Sequence, residues 1–536
     1  MLLKFITKIV TVLFVLNIQF LTAQQNFWQR LYGPFYNNVY PTVNSMDING
    51  SNFLFAATDG KIHRSSDWGD TWDLIDNGIP TGTYQFNEVY CMNGYIFVGE
   101  SQLSYGIFRS SNNGDLWELK NNGIISKKIF AIESNSNDYL FAGGIFSTGM
   151  YRSSDYGDTW TQINNGLIDK DVTSISINKS NNYLFVGTIG GGVFRSTNDG
   201  NNWQKITGDT IYNCNSVYVN NLNGDVYVGF DDTGSHGIMR STNNGNSWQV
   251  ILGNLPWNPR VLENTIITNK KNYIFFRGSN SNLTQTRLFR STDFGASWTD
   301  VSEGINPPIA FSTEINNEQF LFCGSYSEGV FRSVWPSVPV IDLSPNIIDF
   351  DTVGIGVASY DSIKVMNLGT PELQIINVTS SNPHFVIDPL SFQVETGTEF
   401  WVNITFSPSD TGYYQSIIVF NSTSLSEYDT VFVSAYATIL TDIIENTFTN
   451  SYQLSDCYPN PFNPSTKIKY SIPQSSNVII KVFDILGNEI ATLVNEEKDQ
   501  GVYTINFDAN NLASGLYLYR IQAGSFIDTK KMILLK

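Results

Sequence analysis

An eight-residue box recurs six times, and its spacing limits the fold more than any other feature. It opens on Ser, carries Asp or Asn two residues on, Gly two further on and Trp at the eighth place. The copies run from Ser65 to Trp72, Ser110 to Trp117, Ser153 to Trp160, Ser196 to Trp203, Ser241 to Trp248 and Ser291 to Trp298. Asp67, Gly69 and Trp72 recur as Asp155, Gly157 and Trp160, and as Asp293, Gly295 and Trp298. Gly200 with Trp203, and Gly245 with Trp248, complete the set around Asn198 and Asn243. Short polar side chains bond to nearby backbone amides, and Gly accepts the positive φ that a tight reversal needs. Apolar and polar residues alternate before each box, and Trp-x-x-apolar follows it. The box is therefore the turn of a β-hairpin.

A buried strand precedes each hairpin, as in Tyr139 to Gly143 and Tyr183 to Gly187, and a weaker one precedes that, as in Val172 to Ile177. The repeat is thus four strands. The box tryptophans step by 45, 43, 43, 45 and 50 residues, the period of a β-propeller blade. An arginine just before the box position counts the blades: Arg64, Arg109, Arg152, Arg195, Arg240, Arg290 and Arg332 make seven. After Arg332 no box follows. Trp28-Gln29-Arg30-Leu31 has the Trp-x-x-apolar form with no hairpin of its own. The N-terminal segment is expected to supply the outer strand of the last blade and remove an open edge.

Trp335-Pro336-Ser337-Val338-Pro339 ends the repeats. Residues 337–440 alternate in short strands and read as an immunoglobulin-like sandwich. Residues 441–456 are a polar linker. Residues 457–536 alternate again, with a hairpin turn at Asp484 to Glu489, and read as a second small sandwich. The expected fold is all-β, a seven-bladed propeller over 24–335 followed by two β-sandwiches.

The N-terminus has the form of a signal peptide over residues 1–23, with Lys4 and Lys8 before an apolar run that ends at Ala23. Cys91, Cys214, Cys323 and Cys457 lie far apart, without the spacing of a disulfide framework or a zinc site. His63, His236 and His384 are equally scattered, so no metal or cofactor is expected. The net charge of −18 argues against a nucleic-acid partner.

The box resembles the Asp-box, or BNR repeat, of sialidases, sortilin-type receptors, xyloglucan-cleaving propellers and photosystem-assembly propellers. This resemblance implies the fold and places the boxes away from the ligand face. Ile348-Asp349-Phe350, Asn367-Leu368-Gly369 and Phe406-Ser407-Pro408 are similar to Hydin-type Ig-like modules. The tail resembles the type A C-terminal sorting domain of the type IX secretion system. It carries Pro459-Asn460-Pro461-Phe462-Asn463-Pro464, Gly487 in an Asp-x-Leu-Gly-x-Glu turn, Gly515 with Tyr517, and Lys530-Lys531 before the end. The resemblance implies export across the outer membrane of a Gram-negative cell by the type IX machinery, removal of the tail by its sorting peptidase, and release or surface attachment. Contact with a membrane would come only through that processing or attachment.

The Arg-Ile-Pro motif of sialidases is absent, and one arginine per blade suits a structural role. Ligand candidates therefore come from the variable loops opposite the boxes: Glu100, Tyr105, Asp231, Asp232, His236, Trp257, Tyr326 and Glu328. Aromatic rings there would stack on a sugar, and the carboxylates would hold its hydroxyls. The plain alternative is ordinary solvated loop residues. The propeller is expected to bind a glycan or surface protein without catalysis, and no catalytic residue is nominated. Two alternatives stay open: a sialidase-like or glucanase-like glycoside hydrolase, and a passive component of an extracellular layer.

Overall fold

The computed structural model describes residues 27–31, 33, 40–82, 85–103, 105–208, 211–232, 235–261, 265–280, 286–305, 310–439 and 451–535. The expected signal peptide and most of the polar linker lie outside them. Among the described residues no helix occurs, and seven antiparallel sheets follow one another as blades. Blade 1 consists of Val43–Ile48, Leu54–Thr58, Ile62–Ser65 and Asp73–Leu74, from the axis outward. Every second strand is an apolar run closed to solvent, such as Leu54–Thr58 and Leu140–Gly144. Burial on both faces explains why these runs do not alternate.

The seventh blade takes its outer strand from the other end of the chain. Trp28–Arg30 pairs antiparallel with Val330–Ser333, Trp28 opposite Ser333 and Arg30 opposite Phe331. Trp28 is buried, and its indole Nε1 donates to the carbonyl of Val301 in blade 6 at 2.7 Å. Five of the six box tryptophans make the same bond to the blade before them, while Trp72 donates to Gly69 of its own box. Trp117 donates to Ile75 at 2.6 Å and Trp203 to Ile163 at 2.7 Å. Trp28 therefore does the work of the missing box tryptophan, and the ring closes as expected.

Inside each box the bonds are local. The Ser65 hydroxyl accepts from the Gly69 amide at 2.7 Å and donates to Asp67, which accepts from the Thr71 amide and hydroxyl. Ser153 with Asp155 and Ser291 with Asp293 repeat this. Gly200 has φ +79°, and a Cβ there would lie 2.3 Å from the Ile163 side chain. The arginines bind the next box: Arg64 donates to the Asn113 carbonyl, Arg109 to Tyr156, Arg152 to Asp199, Arg195 to Asn244 and Arg332 to Trp68. Arg240 turns instead to Asp225 and lies over the Phe294 ring.

Arg290 faces blade 7, where no box exists. Its guanidinium donates to the Thr370 hydroxyl at 3.0 Å, within the Ig-like domain. The neighbouring first turns show the same substitution. Asn135 Nδ2 reaches the box residue Asp199, whereas Asn269 Nδ2 reaches the Ser337 carbonyl at 2.8 Å. Thr370 N–H donates to Pro336 at 2.9 Å, and Ser337 is fully buried. Linker and sandwich together fill the place of the absent box, so the Ig-like domain is held against the box-bearing side of blades 6 and 7.

That sandwich packs a four-stranded sheet, with Ser359–Asn367 and Glu399–Phe406, against a five-stranded one, with Gly412–Ser422 and Tyr428–Thr438. Val402, Ile404, Phe406, Ile418, Phe420 and Val433 form its core.

The chain divides into two compact units, residues 1–438 and 439–536. The second holds a three-stranded sheet, Gln453–Leu454, Ser465–Ile472 and Gly501–Asp508. Its four-stranded sheet is ordered Glu489–Lys498, Ser476–Phe483, Gly515–Ala523, Phe526–Leu534. The entry motif ties down the last strand. Phe462 N–H donates to Ile533, Leu535 N–H donates to Phe462, and Asn460 Oδ1 accepts from Ile533 N–H at 2.9 Å. Lys530 reaches Asp456, and Gly487 takes φ +86° in its hairpin. The four cysteines are unpaired.

Candidate functional site

The innermost strands line an axial cavity of about 250 Å³. The buried Phe55, Phe97, Phe141, Phe185, Tyr227, Phe275 and Phe322 serve as a ruler for their register. Opposite them stand Asp47, Tyr90, Glu133, Ser176, Tyr218, Ile267 and Glu314. Each faces the cavity, and Glu88 joins them from the adjacent layer. Four carboxyls thus converge on the axis. Asp47 accepts from the Cys91 and Ile48 amides, at 2.6 and 2.7 Å. The Tyr90 hydroxyl donates to Glu133 at 2.7 Å, and Lys179 Nζ caps Glu133 at 2.8 Å. Among the described residues no group of three or more His, Cys, Asp or Glu is arranged to hold a metal ion.

Burial pushes Asp47 up to about 7 against its two amide bonds, and the neighbouring Glu133 adds to the rise. Burial, then the charge of Asp47, pushes Glu314 up to about 8, and Glu88 is raised for the same reasons. A carboxyl that keeps its proton longer when folded loses stability as pH rises towards its folded pKa. His63, which burial lowers to about 4, acts in the opposite sense, but only below its ordinary 6.5. The melting temperature is therefore expected to fall as pH rises from about 6.5 to 9. Asp47→Asn with Glu314→Gln should flatten that slope, read by calorimetry across the range.

The loops between second and third strands lie on the face opposite the boxes, as the strand order requires. The eight nominated residues do not assemble there into one site, and several have internal roles. Glu100 is fully buried, and its carboxylate accepts from the amides of Gln102, Leu103 and Tyr105, which folds its own loop back. Asp232 accepts from the Tyr212 and Asn213 amides, at 3.0 and 2.9 Å. Glu328 pairs with Arg30 at 2.6 Å. Trp257 is half-buried against Phe289 rather than presented to solvent. Tyr105 is half-buried beside Phe108. Glu100 and Asp232 satisfy the backbone of their own loops, Glu328 is paired with a side chain, and the two rings are packed on neighbouring aromatics.

Asp231 and His236 do come together. His236 Nδ1 lies 2.6 Å from Asp231 Oδ1, and Arg260 pairs with the other oxygen. Tyr326 is exposed.

Sequence reasoning missed a set of apolar side chains on this same face. Leu103, Phe146 and Ile189 stand on second-to-third-strand loops, and Ile125, Ile168 and Tyr212 on the connections between blades; all are exposed. Lys128 lies over the Phe146 ring at 4.2 Å. The repeated Asn-Asn-Gly-apolar-apolar runs ending at Ile125 and Ile168 were the signal.

Separate parts of the chain match models of known families. Residues 456–535 match the model of the secretion system C-terminal sorting domain, and residues 339–438 the HYDIN/CFA65/VesB-like Ig-like domain. Residues 191–333 match the sortilin, neurotensin receptor 3 model, and residues 150–163 the BNR-Asp box repeat. The chain is an Asp-box propeller with a HYDIN-type Ig-like domain and a type IX sorting tail. This composite is an exported protein, secreted or held at the cell surface. No curated protein matches it. Among solved structures it is similar to YCF48 bound to D1 peptide, at 13% identity and TM-score 0.45, over 58% of this chain and 98% of that one. YCF48 from Cyanidioschyzon merolae gives 13% and 0.44, over 57% and 98%. The GH74 xyloglucanase from Xanthomonas campestris gives 9% and 0.46, over 94% and 93%.

Proposed function

We propose that the propeller is a binding module whose loop face captures an extracellular glycan or protein without turning it over. The observation that carries this reading is the loop face itself. It leaves large apolar side chains such as Phe146, Ile168 and Tyr212 in solvent, while Glu100, Asp232 and Glu328 are engaged internally. Exposed apolar surface set among polar loops marks a contact site. Cleavage after residue 23, passage through the outer membrane and placement on its exterior complete the proposed route.

A glycan array and a pull-down from the extracellular matrix of the producing cell test the binding reading. Phe146→Ser with Tyr212→Ser is expected to weaken any ligand found by about tenfold or more. Unchanged affinity would reject the loop face.

The axial carboxyls favour a second reading. A carboxyl kept protonated near neutral pH is what a glycoside hydrolase needs as its acid, and Asp47 and Glu314 meet that condition. A panel of chromogenic glycosides decides between the two. Turnover abolished by Glu314→Gln would establish catalysis in the channel. No hit in either screen would favour a passive layer component.

A further inference from the structure

We propose that the outward face of the strands Gly515–Ala523 and Phe526–Leu534 is the surface by which the sorting tail docks on a protein of the export machinery. The proposal rests on the reading of this domain as a sorting tail. The partner surface would be apolar with an acidic rim.

The inward face of these strands is ordinary core: Tyr519, Ile521, Met532 and Leu534 are buried. Alternation predicts polar residues on the other side. Instead Leu516, at 43% exposure, stands opposite Ile533 at 37%, and Ile527 at 58% stands opposite Gln522. The outward face of the domain's other sheet obeys the rule, with Lys467 opposite Asn506 and Lys469 opposite Thr504. One sheet of this small domain therefore carries large apolar side chains on both of its faces, and the exposed set marks a contact surface.

The charge on that face narrows the partner. Arg520 and Lys531 point outward between the apolar residues, and Arg520 lies over the Phe483 ring at 4.9 Å. No carboxylate occupies an outward position on either strand. Asp528 pairs with Ile521, on the core side. The acids lie on the far edge strand, where Glu489 already holds Lys481. In a chain of net charge −18, a basic and apolar face complements an acidic groove. A second copy would set Arg520 and Lys531 against themselves.

The test is export of the full chain in a cell that carries a type IX system. Leu516→Glu with Ile533→Glu, and separately Arg520→Glu, are expected to lower the extracellular fraction about tenfold and leave product in the periplasm. Lys467→Glu with Lys469→Glu, on the other sheet, should export normally. Protease resistance of the purified chain reports folding. If the double variant unfolds, Arg520→Glu decides, since its side chain is outside the core. Normal export of both face variants, with export lost on deletion of residues 457–536, would sink the face and leave the sorting reading intact. Normal export of the deletion itself would sink both. Flotation of the purified chain with phosphatidylglycerol vesicles that Arg520→Glu abolishes would make a lipid surface the occupant and overturn the proposal. A dimer in sedimentation that the same variant dissociates would do so in favour of a second copy.

Discussion

Trp28→Ala is expected to open the propeller. The residue is buried, and its indole ties the last outer strand to blade 6 through the Val301 carbonyl. Removing a buried aromatic costs about 3–5 kcal/mol, and here it also removes a hydrogen bond. The damage falls on a strand of three paired residues, which the buried Leu31, its amide bond to Val330 and the Arg30–Glu328 pair would then have to hold in place. Without it, Val330–Ser333 becomes an unpaired edge. A loss of that size lowers the melting temperature by about 10 °C in a domain of this scale. Deleting residues 24–33 should do at least as much. An unchanged melting temperature in either variant would show that the ring does not depend on its latch.

The second large effect is expected from Phe462→Ala in the entry motif of the tail. Phe462 is buried against Phe507, and its amide and carbonyl both bond to the last strand. Truncation again costs about 3–5 kcal/mol. A domain of about eighty residues has little stability to spare. The tail should become protease-sensitive in the purified chain, and export should fail. Normal export by a protease-sensitive tail would show that the machinery reads a linear segment rather than a fold.

Much of the architecture was legible because its determinants are local. The bonds from Ser65 to Gly69 and from Asp67 to Thr71 span four residues, so one box declares one hairpin. The latch was legible from a mismatch, a Trp-x-x-apolar segment without a box at one end and a box missing at the other. The rim candidates were less legible. Glu100 and Asp232 are acidic residues in variable loops, which is how a ligand contact and a loop brace both look in sequence. Only the three amides around Glu100 distinguish them.

Sequence by itself determined the blade count, the order of the matched domains and the presence of a sorting tail, because each is written in repeated or contiguous residues. The tertiary structure alone decided where the acids meet. Asp47 and Glu314 belong to opposite ends of the propeller, and they become neighbours only when the ring closes through Trp28. Their raised pKa values follow from burial around a common axis. It also showed what fills the gap after Arg332. Arg290 needs an acceptor where the seventh box would stand, and Thr370 of the next domain supplies it. Both outcomes depend on contacts between residues far apart in the chain, and no spacing within one repeat encodes them.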